Sequence, residues 1–341
     1  MTDIRVAVIG TVFVDCKGLA YEHYRPEGRN LGRVEFVHGG VGRNVAENLA
    51  YLETPVTFVS TVDESGLGQE IRERLQKNGV AVDYLLNVSD SGMGMWLVIV
   101  DEKGNVAGSI SHMPDLKPLQ KWLEDRGEAL IREASHIALE LDLNESIAEH
   151  VLKLARRERK PVYGLPGNLD IVMKRPDLLD ELACFICNEH EAGQLWGQTL
   201  SGDDPESVLD PLQHFLKERK LSRMVVTLGA NGAVYCDRER GEAGYCPAEK
   251  VEPVDTSGAG DAFFSGTVAG LCRGLDLESA VRIGTKAAAW TIRCEESTYA
   301  ELGKRLREDE TCSMLWERTP ARGSRRLDEK CRQEETKTAP S

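Results

Sequence analysis

The clearest chemical signal in the sequence is Val254-Asp255-Thr256-Ser257-Gly258-Ala259-Gly260-Asp261-Ala262-Phe263-Phe264-Ser265-Gly266. Residues without bulky side chains run into an acid, and small and aromatic residues at helical spacing follow, which is the pattern of a loop turning into a helix. The first turn of a helix leaves backbone N–H groups unpaired, with the positive end of the helix dipole behind them, and so makes a site for an anion. Gly258, Ala259 and Gly260 would form an anion hole, because nothing bulky keeps a phosphate from those amides. A carboxylate beside an anion is costly unless it handles a proton or holds a metal. Asp261 therefore reads as a base aimed at a hydroxyl that attacks a phosphoryl group, or else as an ordinary N-capping Asp after a Gly-rich turn.

A second Gly-rich element lies roughly two hundred residues upstream, His38-Gly39-Gly40-Val41-Gly42-Arg43-Asn44-Val45-Ala46-Glu47-Asn48-Leu49-Ala50. Gly39 and Gly40 allow a ring to approach the backbone, and Asn44 offers both donor and acceptor to a hydroxyl. Arg43 reads either as a contact to substrate or transferred phosphate, or as a solvated helix arginine. Other catalytic patterns are absent: there is no Gly-x-x-x-x-Gly-Lys-Ser/Thr, no Gly-x-Gly-x-x-Gly after a strand, no His-Glu-x-x-His and no Gly-x-Ser-x-Gly.

Together the two stretches resemble the paired signatures of the ribokinase-like (PfkB) family of carbohydrate and nucleoside kinases. In that family Gly-Gly, followed by an Asn and an Ala, opens a helix, and Asp-Thr-x-Gly-Ala-Gly-Asp comes later in the chain. The resemblance runs from about residue 4 to residue 300. It implies an α/β fold, a ribokinase-like three-layer sandwich with a central, mostly parallel sheet and a small β-sheet lid. It also implies transfer from ATP to a hydroxyl of a small-molecule sugar or nucleoside, with Mg2+ and, as in several relatives, K+.

The same resemblance assigns roles residue by residue. Asp15 matches an acid just after the first strand that holds sugar hydroxyls; a carboxylate can accept two hydrogen bonds from a diol, while the alternative is a turn-forming Asp. Asn188 and Glu191 match an Asn-x-x-Glu that positions magnesium and phosphates through water, with a helix-capping pair as the alternative. Thr227, Gly229 and Gly232 match a nucleotide-binding Thr-x-Gly-x-x-Gly, itself a common turn. Asp255, with neighbouring carbonyls, would hold the monovalent cation. The chain departs from the pattern at Gly164-Leu165-Pro166-Gly167-Asn168, where relatives usually carry Asp-Pro.

The elements that must position these residues are legible as alternating patterns. Strands are expected at 4–9, 56–62, 136–139, 161–163 and 224–228, with another that the run Phe185-Ile186-Cys187-Asn188-Glu189-His190-Glu191 ends, and helices over 41–52, 63–78, 117–133, 145–158, 258–273 and 277–294. Strand, helix, strand in that order favours a parallel sheet with right-handed crossovers. Short alternating runs within 17–37 and 93–112, the latter with a turn at Asp101-Glu102-Lys103-Gly104-Asn105, predict the lid. Met93, Met95 and His112 are then candidates to line the acceptor pocket, His112 with a plain structural role as its alternative. The kinase domain is expected over 1–319, and the charged, apolar-poor stretch 320–341 reads as a disordered tail.

Composition narrows the function further. The 341 residues carry 42 Lys and Arg against 56 Asp and Glu, a net charge of 42 − 56 = −14. Such an acidic chain without a basic run is a poor partner for nucleic acid or a membrane surface. Nine scattered cysteines and no apolar span suit reduced thiols in a cytoplasmic protein. Cys184-Phe-Ile-Cys187 has redox or half-zinc spacing, but it lies in an apolar run with no second pair following. Within the family, the 39–50 string is most similar to that of pseudouridine kinases, which implies pseudouridine as acceptor. The alternatives are a sugar kinase of ribokinase, fructokinase or keto-deoxy-gluconate type, and a non-catalytic ligand-binding protein. An exposed lid sheet would allow a homodimer.

Overall fold

The computed structural model describes residues 3–89 and 91–317; the expected tail at 320–341 lies outside the described residues. β1 (Val6–Ile9) is a fully buried apolar strand, as suits the middle of a parallel sheet covered on both faces. β4 (Val56–Asp63) lies parallel on one side of it and β8 (His136–Glu140) parallel on the other. β5 (Ala81–Val88) extends the first side. On the second side follow β9 (Val162–Leu165), β10 (Cys184–Asn188) and β11 (Arg223–Thr227), all parallel, and then β12 (Ala233–Asp237) and β13 (Glu242–Cys246), which are antiparallel. Among the described residues this gives a nine-stranded sheet ordered β13-β12-β11-β10-β9-β8-β1-β4-β5.

Helices cover both faces. α1 (Val41–Tyr51), α2 (Gly66–Lys77), α8 (Ala259–Cys272), α9 (Leu277–Thr291), α10 (Leu302–Glu308) and α11 (Ser313–Glu317) share one core, which includes Val45, Leu49, Leu75, Phe263, Phe264 and Val281. α3 (Lys117–Glu133), α4 (Glu145–Glu158), α5 (Asp170–Lys174), α6 (Glu189–Trp196) and α7 (Pro205–Lys217) pack on the other face through Leu119, Ile131, Val151, Val172, Ala192 and Leu212. The outcome is the three-layer sandwich that the family resemblance implies. Along α8 every residue from Ala262 to Cys272 is buried, and a Cβ on Gly266 would stand 2.8 Å from Gly284 Cα of α9, so this pair of helices packs backbone to backbone.

Among the described residues the lid is a separate four-stranded sheet of β2 (Phe13–Ala20), β3 (Gly32–Gly39), β6 (Gly94–Val100) and β7 (Val106–His112), in the order β3-β2-β6-β7. β2 starts at Phe13, earlier than the runs read from sequence, and continues almost directly from β1. That short connection hangs the lid over the C-terminal end of the main sheet. All cysteines in the described residues are free, and Cys184 and Cys187 are buried in the β10 ladder. No helix among the described residues is long and apolar enough to cross a membrane.

Candidate active site

From β1 the chain moves to β4 and β5 on one side, and later to β8 and beyond on the other. The loops leaving β1 and β8 therefore diverge, and a crevice opens outside the carboxyl ends of the strands, where open α/β sheets bind ligands. A cleft of about 450 Å³ lies there, within the range of small-molecule sites. Thr11, Glu140 and Asp142 form its floor, Gly258 and Asp261 one wall, and Asp15, Lys17 and Trp96 its roof. A larger cavity, about 780 Å³, opens near Arg5, Pro55 and Ala81, at the opposite ends of β1, β4 and β5. It contains none of the Gly-rich loops, so size does not identify the site here.

The mouth of α8 is built by its glycines. Gly258 caps the helix with φ +78°, and a Cβ there would meet Ser297 O at 2.1 Å, so only glycine fits. Ala262 N–H donates to Gly258 O at 2.9 Å to start the helix, leaving the Gly260 and Asp261 amides ahead of the first intrahelical bond. At Gly260 a Cβ would meet nothing within 4 Å, so no protein atom crowds that side of the first turn. This is the geometry an anion hole requires.

Asp261 is the third residue of the helix, and no side chain caps it, which removes the N-cap reading. Its Oδ2 instead accepts from Asn44 Nδ2 at 2.7 Å. Asn44 Oδ1 accepts from Ser297 Oγ at 3.0 Å, and Ser297 Oγ accepts from Arg43 Nη2 at 3.0 Å. Burial pushes the Asp261 carboxyl up to about 7, against the opposing pull of the Asn44 hydrogen bond and the Arg43 charge. A carboxylate tuned near neutrality, in a cleft and beside an anion site, has the properties of a general base.

Arg43 answers to neither expectation. It is 1% exposed and therefore not solvated, and its donors are consumed by protein: Glu47 at 2.6 Å, Gly39 O at 3.3 Å, His38 O and Ser297. Glu47 is in turn held by Arg74 at 2.8 Å, Thr298 at 3.0 Å and Asn78 at 3.1 Å. Such a buried pair is kept by its full set of hydrogen bonds, since either charge alone would be heavily penalised.

The Gly-Gly element works by contact. Gly40 has φ +98°, and a Cβ there would lie 2.7 Å from Thr11 O and Phe13 N; on Gly39 it would lie 2.9 Å from Asp15 Oδ1. Asp15 thus faces the cleft against the Gly39 backbone, with its carboxyl raised by burial against the charges of Lys17 and Arg43. The sequence reading missed Glu140. It accepts from Thr11 N at 2.7 Å, Thr11 Oγ1 at 2.8 Å and Gly42 N at 3.1 Å, pinning the ends of β1 and β8 to the start of α1. Burial and then Asp142 push its carboxyl up. The available signal was an acid directly after the apolar run 137–139. Asp142, also unpredicted, accepts from Gly167 N at 2.9 Å and Asn168 Nδ2 at 3.1 Å, which is how the departure at 164–168 is held.

Other predicted residues lie along the same edge, outside the cleft. Asn188 and Glu191 form a capping box: Asn188 Oδ1 accepts from Glu191 N at 2.9 Å and Glu191 Oε2 from Asn188 N at 2.7 Å. Thr227 sits opposite Asn188 in the β10–β11 ladder. Gly229 and Gly232 follow with φ +55° and +100°, and a Cβ on Gly232 would lie 2.1 Å from Cys246 O. Glu191 is raised by burial and, less strongly, by Asp142, and one of its oxygens is already spent on the cap. Among the described residues there is no cluster of three or more side chains fit to hold a metal directly. Carboxylates placed this way suit a magnesium ion that keeps its waters. Asp255 Oδ1 accepts from Ser257 N at 2.8 Å, and its Oδ2 faces the Lys17 ammonium at 3.7 Å, so a cation of the chain itself stands at this carboxylate.

Three acceptor-pocket candidates are corrected. Met93 is 6% exposed and belongs to the core. Met95 and His112 are paired with each other and both exposed, on the outer face of the lid. The row that lines the cleft is one residue over, Asp15, Trp96 and Ser111 in register. Strand side chains alternate, so an error of one position exchanges the faces.

The pfkB family of carbohydrate kinases matches this chain over residues 3–302. A guanosine-inosine kinase of Exiguobacterium acetylicum is 35% identical, covering 86% of this chain and 96% of that protein. A pseudouridine kinase of Escherichia coli is 28% identical, covering 87% and 93%. Among solved structures, Arabidopsis thaliana ribokinase with ribose and ATP superposes with a TM-score of 0.75 at 22% identity, covering 89% of this chain and 98% of that one.

Proposed function

The chain belongs to the pfkB family of carbohydrate kinases and is an ATP-dependent phosphotransferase acting on a hydroxyl, and on that premise we propose that its acceptor is the 5′-hydroxyl of a ribonucleoside. Guanosine and inosine rank ahead of pseudouridine, because the relative named for them is 35% identical and the one named for pseudouridine 28%. Free sugars rank last: Trp96 and Phe13 line the cleft and offer aromatic area on which a base can pack.

In this reading Asp15, Asn44 and the Gly39–Gly40 backbone hold the ribose. ATP runs from Asn188, Thr227, Gly229 and Gly232 to the α8 mouth, with magnesium near Glu191 and Asp142 through water. Asp261 takes the hydroxyl proton. The observation that carries the reading is the Asp261 carboxylate, hydrogen-bonded by Asn44 at 2.7 Å, in the first turn of α8 beside the uncrowded Gly260. Acid and anion site together are what proton removal coupled to phosphoryl transfer requires.

We take residues 1–319 as the catalytic unit and a cytoplasmic location for it. We also propose a homodimer through the lid. Phe36, Cys16, Leu97 and Ile110 line up across all four lid strands, and Phe36 and Ile110 are 58% and 70% exposed. A second copy covering that row would bury it.

The test is ADP release from ATP with guanosine, inosine, pseudouridine, ribose and fructose as acceptors. Nucleosides should give kcat/KM at least tenfold above the free sugars. Equal or better turnover of ribose would assign a sugar kinase instead, and no ATP consumption with any acceptor would leave only a ligand-binding protein.

A further inference from the structure

The side chains lining the cleft offer little positive charge to an anion in transfer, although burial raises the carboxyls of Asp15, Glu140, Asp142 and Asp261 toward their neutral forms. Among the described residues six carboxyl groups line it, those of Asp15, Glu140, Asp142, Asp255, Asp261 and Glu295, against one ammonium, that of Lys17. Arg43 lies behind the wall with its donors spent on protein. His38 also lines the cleft, but burial first and the Arg43 charge second lower its pKa, and its Nε2 faces Glu70 at 3.5 Å. A phosphoryl group in flight spreads negative charge over its outer oxygens and needs positive charge aimed at them.

Lys17 sits two residues after Asp15 on β2, on the same inward face, and its Nζ is 3.7 Å from Asp255 Oδ2 at the rim of the anion loop. That separation exceeds a hydrogen bond, both side chains are partly exposed (21% and 31%), and such a pair is weak and inexpensive to break. The ammonium is therefore tethered beside the α8 mouth without being committed there.

We propose that Lys17 is a catalytic cation, carried by the lid, whose ammonium leaves Asp255 to bind the phosphoryl group passing from nucleotide to acceptor. The inference rests on the kinase reading above. The acceptor oxygen forms a bond to the γ-phosphorus, the bond from that phosphorus to the bridging oxygen breaks with its electron pair leaving on ADP, and the hydroxyl proton passes to Asp261. Lys17 makes and breaks no covalent bond; it stabilises the charge. Acceptor grip and charge stabilisation then sit on one strand, so that lid placement over the acceptor and delivery of the cation are one movement.

The decisive comparison is Lys17→Met against the double variant Lys17→Met, Asp255→Asn. We expect Lys17→Met to lower kcat about a hundredfold, with KM for ATP and for the nucleoside within threefold, and Lys17→Arg to recover most of the loss. The double variant should stay as slow as Lys17→Met. If it regains wild-type kcat, Lys17 serves only to neutralise Asp255 and the proposal is overturned; kcat within twofold of wild type for Lys17→Met overturns it as well. A binding readout is independent of turnover: in the presence of nucleoside, aluminium fluoride should tighten ADP binding to wild type, and Lys17→Met and Lys17→Gln should lose most of that gain. Undiminished tightening in both variants is also disproof. These outcomes leave wild-type turnover intact and so judge Lys17 alone, whereas a wild-type chain that transfers no phosphate to any acceptor overturns the kinase reading and this inference together.

Discussion

The mouth of α8 and the inner face of the lid line one cleft, yet they encode their chemistry differently. At the helix mouth the working groups are backbone amides, and the sequence needs only residues that permit the backbone path: Gly258 in the left-handed region and Gly260 facing open space. On the lid the working groups are side chains, Asp15, Lys17 and Trp96, and which of them face inward depends on strand parity and register. A site made of backbone is written in a local motif, whereas a site made of side chains is written in the pairing of strands far apart in the chain.

The largest effect should come where the two encodings meet, at Asp261. Asp261→Asn keeps the shape of the helix mouth and removes the base, so kcat should fall by about a thousandfold or more while ADP binding by calorimetry stays within a few-fold. In the wild type, kcat/KM should rise with pH around a midpoint near 7, since the base must be deprotonated to act. The stability effect has the opposite sign. The folded-state pKa lies above the ordinary 3.8, so between about pH 4 and 7 the folded protein keeps a proton that the unfolded chain has lost, and stability falls as pH rises through that window. Asn carries no such penalty. The inactive variant should therefore melt about 2–4 °C above wild type at pH 8 and lose that advantage near pH 4, an outcome that a general loss of packing cannot mimic.

A pair of glycine substitutions separates path from access at the helix mouth. Gly258→Ala forces a Cβ into left-handed backbone and to within 2.1 Å of Ser297 O, which should cost about 3 kcal/mol in chemical denaturation. Gly260→Ala meets nothing in the protein and should fold as well as wild type, because alanine is the better helix former. Its methyl group nevertheless enters the space that the phosphate needs, so KM for ATP should rise about tenfold. If both variants lose only stability, the amides bind no anion.

How far the sequence reveals this molecule follows from the same contrast. The parallel strands, the helices at 117–133 and 145–158, and the two Gly-rich junctions are legible because each depends on local period, caps and turn residues. Arg43, Ser297 and Glu140 are not. The partners of Arg43 include Ser297, 254 positions away, and those of Glu140 include Thr11, 129 positions away, and no local pattern brings them together. Asn188 and Glu191 carry a capping signature that the structure displays, so their local pattern by itself does not separate a cap from a magnesium contact.

The lid offers a finer comparison. Trp96→Ala should raise nucleoside KM about tenfold, and leave ribose little changed if the ring packs on the base. Met95→Ala and His112→Ala, on the other face, should change neither KM by more than twofold. A larger loss for Met95→Ala than for Trp96→Ala would mean that the two faces are exchanged.

The smallest effect is expected at Ser297, and it bears on how a side-chain site is held together. Ser297 Oγ accepts from buried Arg43 and donates to Asn44 Oδ1, which fixes the Asn44 amide so that its Nδ2 points at Asp261. In Ser297→Ala the amide can turn and present its oxygen to the carboxylate, which disfavours the charged form. The midpoint of the kcat/KM profile should then move up by about half a unit, with the rate above pH 9 within about threefold of wild type, and Ser297→Thr should restore the midpoint. A uniform loss of rate at every pH would instead make Ser297 a packing residue and leave the orientation of Asn44 to Asp261 alone.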